Sequence, residues 1–281
     1  MTAISTSFYP IRKEADGGDL LAVLGNLPVS GVELDYRLPT PVYRRIQPAL
    51  RRSGIRVTSV HNFFPLPVDL LSTGGGGDLF SLSDIRREER LEAVKRTLQT
   101  IDHAHDLEAE AVVLHCGRVA MAAETDELYA RFRQDATLTK ATGQWLAQKI
   151  DARDRRKPAH LDALRFSLEK LLLAADRRHV RLGLETRYHY HELPGPEDFL
   201  PLLREFDGAP LGYWHDTGHG FVNEQLGLIR SGELLTSLST RLLGIHLHDA
   251  HGLEDHLPPG SGRIDFQALA EHLGGDVLQV L

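Results

Sequence analysis

Leu211-Gly-Tyr-Trp-His-Asp216-Thr-Gly-His219-Gly220 is an apolar run that ends in a carboxylate, with a histidine three residues on, past a glycine. A buried strand and the loop that follows it present an oxygen and a nitrogen ligand to one cation in this way. Asp beside Gly is also ordinary turn chemistry. The stretch therefore takes its meaning from the rest of the chain.

Outward from it, short apolar runs alternate with amphipathic ones from end to end. Strands are expected at Ala3–Ser7, Gly31–Asp35, Ile55–His61, Ala111–His115, Val180–Glu185, Leu211–Asp216, Leu243–His248 and Asp276–Leu281. They read as strands buried on both faces. Between them, Leu161, Leu164, Leu168, Leu171, Leu172 and Ala175 form a helical stripe, and Leu91, Val94, Leu98 and Ile101 another within Ile85–His105. Eight such units predict an α/β fold, a (β/α)₈ TIM barrel whose eighth strand lies at the very end of the chain. The competing fold is a doubly wound open sheet, but no Gly-x-Gly-x-x-Gly fingerprint follows the first strand.

One domain is expected over residues 1–281, with a helical insertion at about 118–178. That insertion should hold two helices, beginning near Glu124 and Ala159. The basic cluster Arg153, Arg155, Arg156, Lys157 reads as a solvated turn between them. Leu71-Ser-Thr-Gly-Gly-Gly-Gly77 should be a mobile loop.

Composition narrows the function. The 281 residues are 42% hydrophobic and 25% charged, enough for one large core. No apolar run has the length of a membrane span, and Met1–Pro10 lacks the basic and apolar regions of a signal peptide. The single cysteine, Cys116, excludes an internal disulfide framework and fits a reducing cytoplasm. A formal charge of −7 argues against a nucleic-acid partner.

The chemistry gathers at the strand ends, where a barrel keeps its site. The third run ends in His61, the fourth in His115-Cys116, the fifth in Glu185, the sixth in Asp216, and the seventh carries His246-Leu-His248. Five consecutive runs each delivering an imidazole or a carboxylate to one rim predict a metal site. Alternation along a strand sets His246 and His248 on one face, and Asp216 with Trp214 and Gly212. His215 then faces the surrounding helices, and Cys116 turns from the mouth, so it is no candidate nucleophile.

His61, His115-Cys-Gly, Glu185, Asp216-Thr-Gly-His219, His246-Leu-His-Asp249 and Glu254-Asp-His256-Leu-Pro-Pro-Gly-Ser-Gly-Arg-Ile-Asp265 together resemble the xylose isomerase-like TIM-barrel superfamily. That group holds sugar isomerases and epimerases as well as DNA-repair enzymes of the endonuclease IV type. In the first branch, the resemblance implies one divalent ion held by Glu185, Asp216 and His246. The fourth ligand there is a strand-eight Glu. The given sequence ends at Val277–Leu281, within that run, so either the ligand follows Leu281 or water completes the shell; the former is expected. His248 would then stand behind the ligands or touch substrate. In the second branch, the resemblance implies up to three zinc ions, with His61, His115, His219 and His256 as further ligands. Glu254 stands where that branch has an Asp, which weakens the third ion. The implied cofactor is Mn²⁺ or Zn²⁺, one to three ions.

Substrate contacts are expected from Arg187 and His189 in Arg187-Tyr-His-Tyr-His191, which mixes charge with aromatic faces, and from Arg263 in the Gly-rich Pro258–Arg263 loop. No Gly-x-Ser-x-Gly elbow and no phosphate-binding P-loop are present. The resulting expectation is a metal-dependent isomerase or epimerase of a sugar, sugar phosphate or polyol. Its cation would stabilise an enediolate, Glu185 would move the proton, and His219 or His248 would relay it. An endonuclease IV-like phosphodiesterase is the alternative, and a lyase acting on an oxidised sugar would use the same enediolate. The partner is a small carbohydrate; homo-oligomerisation is left open.

Overall fold

The apolar runs become strands whose two faces meet different neighbours. In the computed structural model, which describes residues 2–9, 18–73, 76–135 and 137–281, the barrel strands are β1 (Thr2–Ser5), β2 (Gly31–Leu34), β3 (Arg56–His61), β4 (Ala111–Leu114), β5 (Arg181–Glu185), β6 (Leu211–Asp216) and β7 (Leu242–His246). An antiparallel hairpin, β8 (Asp249–His251) and β9 (Glu254–Leu257), follows, and β10 (Leu278–Val280) completes the barrel. The closed order is β1-β10-β7-β6-β5-β4-β3-β2, with every barrel pairing parallel. This is the expected (β/α)₈ barrel. The last two expected strands differ at their ends: β7 stops at His246, and β10 spans only Leu278–Val280.

Alternation splits the apolar residues into two sets. Val112, Leu114, Leu182, Leu184 and Tyr213 point outward and pack on the helices. Ala3, Ala111, Val113, Trp214, Leu278 and Val280 form a separate cluster inside the barrel. Interior positions here are side-chain-filled, as in other barrels, so only the rim is left open for a ligand.

The helix layer comprises α1 (Gly18–Asn26), α2 (Thr40–Arg52), α3 (Arg87–Asp106), α4 (Thr125–Asp135), α5 (Lys140–Asp154), α6 (Lys157–Arg178), α7 (Phe199–Glu205), α8 (Thr217–Gln225), α9 (Glu233–Leu238) and α10 (Phe266–Ala270). Helix α6 buries Leu164, Leu168, Leu171, Leu172 and Ala175 of the predicted stripe. Truncating one of those leucines to alanine should cost about 2–5 kcal/mol.

The insertion holds three helices rather than two. The extra break falls at Thr139, whose side chain caps α5 by accepting from Thr142 N–H. The basic cluster is also not simply a solvated turn. Arg153 is buried, donates to the Tyr190 carbonyl at 3.1 Å and pairs with Glu197. Lys157 pairs with Glu197 and with Asp198 at 2.9 Å. These pairs tie the insertion to the chain beyond β5. Of the Gly-rich loop, Val68–Thr73 forms a 3₁₀ helix, while Gly74 and Gly75 lie outside the described residues. No described helix is long and apolar enough to cross a membrane.

Candidate metal centre

The carboxyl ends of the strands open into a cavity of about 740 Å³, a size suited to a small molecule. Phe8, Tyr36, Tyr188, Leu257 and Pro258 contribute to its walls. Its floor is polar, and Glu185, at the end of β5, is at its centre.

Glu185 is 1% exposed. Its Oε1 is 2.7 Å from His246 Nδ1, and its Oε2 is 2.5 Å from His115 Nε2 and 3.3 Å from His61 Nε2. Asp216 Oδ2 lies 3.6 Å from the same His246 Nδ1. His61 Nδ1 donates to the Asn62 carbonyl at 3.1 Å, which turns its Nε2 lone pair toward Glu185. His115 Nε2 sits between Glu185 and the Arg187 guanidinium, and its Nδ1 lies 3.3 Å from Asp78 Oδ1. Glu185 Oε2 has no hydrogen-bond donor of its own. Imidazole nitrogens crowded around a buried carboxylate oxygen without hydrogen-bond geometry of its own are an arrangement that a cation, displacing protons, would satisfy.

A second group of donors lies beside the first. Asp216 caps α8, its Oδ1 accepting from His219 N–H at 2.8 Å. His219 Nδ1 donates to the Thr186 carbonyl at 2.8 Å. Its Nε2 therefore faces Asp255 Oδ2, 3.4 Å away, and neither atom has a hydrogen-bond partner. His256 Nδ1 is 3.1 Å from the same oxygen. Ligand atoms of Asp216, His219 and His256 all lie within 4.8 Å of one another, as do those of His61, Glu185 and His246. Asp216 thus stands between two ion-sized nests of nitrogen and oxygen donors.

The charges in this site reinforce one another. Burial would raise the carboxyls of Glu185 and Asp216, but the surrounding imidazoles hold both well below their usual range. Burial and Arg187 would depress His115, yet Asp78 and Glu185 lift it to about 9. Burial likewise opposes the proton on His246, and Glu33, Asp216 and Glu185 outweigh it. A cation entering here would have to compete with protons on these rings.

Several sequence expectations are relocated. His248 accepts from His256 N–H at Nδ1 (2.9 Å), so its Nε2 carries the proton and donates to Asp216 at 2.8 Å. It is held between Asp216 and the hairpin backbone, and it lines the cavity. Arg187 lines the cavity wall but is buried, and its guanidinium is committed to Asp78 (2.9 Å), Glu192 (2.6 Å) and His115. His189 turns to Tyr129 (3.2 Å) and Glu192, outside the mouth. Arg263 lines a separate cavity of about 180 Å³ beside His215, between α8 and α10. Glu254 is exposed and reaches Arg133 at 3.4 Å, while Asp255 takes the inward place. Burial along β9 alternates, exposing Glu254 and half-burying Asp255, and His256 has a positive φ of 57°.

His215 is buried, bonded to Tyr213 Oη at 2.6 Å, and outside the donor nests. Burial holds its ring neutral, down at about 4. The sequence reading missed Glu33, Asp78 and Asp255. An acid inside the apolar run Gly31-Val-Glu33-Leu34 was a usable signal for the first.

Residues 21–276 match the family described as xylose isomerase-like TIM barrel. No curated protein sequence matches the chain. Among solved structures, 3-keto-D-glucoside 4-epimerase from E. coli in its apo form is similar at 18% identity and TM-score 0.66, over 99% of this chain and 90% of that one. A D-tagatose 3-epimerase-like protein is 18% identical with TM-score 0.67, over 99% and 89%. A Thermus thermophilus protein soaked with ZnCl₂ is 20% identical with TM-score 0.59, over 100% and 90%.

Proposed function

Because this chain belongs to the xylose isomerase-like TIM-barrel family, we propose that it is a divalent-metal-dependent isomerase or epimerase of a small carbohydrate. One observation carries the reading: Glu185, Asp216 and His246 converge at the floor of an open cavity of about 740 Å³. Two carboxylates and an imidazole suit Mn²⁺ or Zn²⁺. The similar solved folds named for sugar epimerases support it.

Glu185, Asp216 and His246 would hold the ion. Bound there, it supplies Lewis-acid polarisation of a carbonyl and its adjacent hydroxyl. Glu185, with one oxygen free of hydrogen-bond donors, takes the proton from the carbon between those groups. His219, which also lines the cavity, would pass a proton on, and His248 would keep Asp216 oriented. Tyr188, stacked on His219 at 4.5 Å, and Tyr36 provide faces for a sugar ring.

A metal-dependent phosphodiesterase is a second reading, favoured by the nest of Asp216, His219, His256 and Asp255. The formal charge of −7 opposes it, since affinity for a nucleic acid rests on phosphate contacts.

The test is paired. Protein loaded with Mn²⁺ or Zn²⁺ is incubated in heavy water with ketoses, inososes and their phosphates, and separately with a duplex carrying an abasic site. Deuterium uptake α to a carbonyl, with little nicking, is expected. Efficient nicking without uptake across the panel would overturn the isomerase reading in favour of the second.

A further inference from the structure

Glu33 had no place in the ligand set read from the sequence, yet it is as deeply buried as Glu185, at 1% exposure. It comes from β2, 213 residues before His246, and β2 and β7 are not neighbours in the barrel. A carboxylate held in an apolar strand needs partners. Glu33 has two: Ser59 Oγ donates to its Oε2 at 2.8 Å, and His246 Nε2 lies 3.2 Å from both of its oxygens.

The two nitrogens of one imidazole point in divergent directions. In His246, Nδ1 faces Glu185 Oε1 at 2.7 Å and Asp216 Oδ2 at 3.6 Å, while Nε2 faces Glu33. Trp214 and His61 pack against the same ring, with centroids 5.2 and 5.7 Å away. The ring is therefore fixed in orientation. An ion gathered by Glu185 and Asp216 lies on the Nδ1 side, and Glu33 can reach His246 only from behind.

We infer that Glu33 is the positioning residue for His246: it holds the proton on Nε2, so that Nδ1 presents its lone pair to the cation. This rests on the metal-dependent reading above. Ser59 fixes Glu33 in turn, so the relay runs Ser59–Glu33–His246–ion. A carboxylate behind a ligating histidine fixes its tautomer and strengthens its basicity, and losing such a partner lowers metal affinity by roughly 10- to 100-fold.

The experiment is a chelator-competition titration with Zn²⁺ on the full chain, comparing wild type, Glu33→Gln, Glu33→Ala and Ser59→Ala. The expected affinity loss is greatest for Glu33→Ala, smaller for Glu33→Gln, whose amide oxygen still accepts from Nε2–H, and smallest for Ser59→Ala. Nitrogen NMR on ¹⁵N-histidine-labelled, Zn²⁺-loaded protein should show the His246 Nε2–H tautomer in wild type and a mixture in Glu33→Ala. A purely structural role would leave that tautomer unchanged. If Glu33→Ala does not fold, Glu33→Gln and Ser59→Ala carry the comparison. A wild type that binds Zn²⁺ while all variants bind equally overturns this inference and leaves the functional reading standing. A wild type that binds no ion overturns both.

Discussion

Gly244 lies directly against the Trp214 indole: a Cβ on Gly244 would stand 2.3 Å from the ring's Cζ3. Gly183, on the other side of Trp214, leaves room in the same way, with 2.9 Å to Cε3. One fully buried tryptophan thus fills the barrel between β5 and β7, and its ring meets His246 edge-on. The floor of the site and the packing of the core are one object.

Gly244→Ala should therefore destabilise the protein by about 1–3 kcal/mol, the usual cost of overpacking, and weaken Zn²⁺ binding by displacing His246. Gly143→Ala is the control. It lies within α5 with nothing within 4 Å of an added Cβ, and should be neutral or stabilising by up to about 1 kcal/mol. Urea denaturation checks both. Equal stability of the two variants would contradict the close approach at Trp214.

Glu185→Gln and Asp216→Asn should each strip most of the bound metal, because an amide lacks the charge a divalent cation requires. His215→Gln should retain it, since that ring is bonded to Tyr213 outside the donor nests. Elemental analysis after gel filtration measures all three. Loss of metal from His215→Gln alone would place the strand register out by one.

If the second nest takes an ion, Asp255→Asn and His256→Gln should remove only the weaker equivalent from a calorimetric Zn²⁺ titration. Glu254→Gln should leave the isotherm unchanged, because Glu254 reaches only Arg133. An equal effect of Glu254→Gln would mean that the hairpin turns the other way in solution.

His191 is buried near the site loop, and burial pulls its ring down to about 4, with Glu192 opposing only in part. Its folded value is below the ordinary 6.5. The unfolded chain therefore binds this proton first as pH falls. Its contribution to stability is fully present above about pH 6.5 and declines between about 6.5 and 4. His191→Leu should lose that portion of the acid sensitivity. Its stability relative to wild type should rise across this window in denaturation curves, and the wild-type His191 ring should remain neutral by NMR until near pH 4.

Much of this was readable before any coordinates. Ala111–Leu114 and Leu211–Asp216 declare buried strands by composition, and alternation alone set Asp216 inward and His215 outward. What escaped depended on contacts distant in sequence or on the course of one hairpin. Glu33 matters only because closure of the barrel brings β2 within reach of β7, with β1 and β10 between them. Asp255 rather than Glu254 is the half-buried residue of β9, and only the course of the hairpin brings it to His219. Arg153 looked solvated because its partner Glu197 lies 44 residues away. Arg187 looked like a substrate contact because two of its three partners, Asp78 and His115, come from distant segments of the chain. The third helix of the insertion was announced by Thr139, a capping residue four positions before Gly143.

The hairpin of β8 and β9 is paired only with itself, outside the barrel's ladder of strands. It nevertheless supplies Asp255 and His256 to the second nest, whereas every donor of the first comes from the barrel's strands. The second nest is thus separable from the first. Exchanging residues 249–257 for a donor-free turn would remove Asp255 and His256 from the second nest and spare the first, and the reverse graft would add those donors to a barrel that has only the first nest. A chemistry that needs a second cation and one that needs a single cation are then separated by a loop exchange, with no strand of the barrel rebuilt.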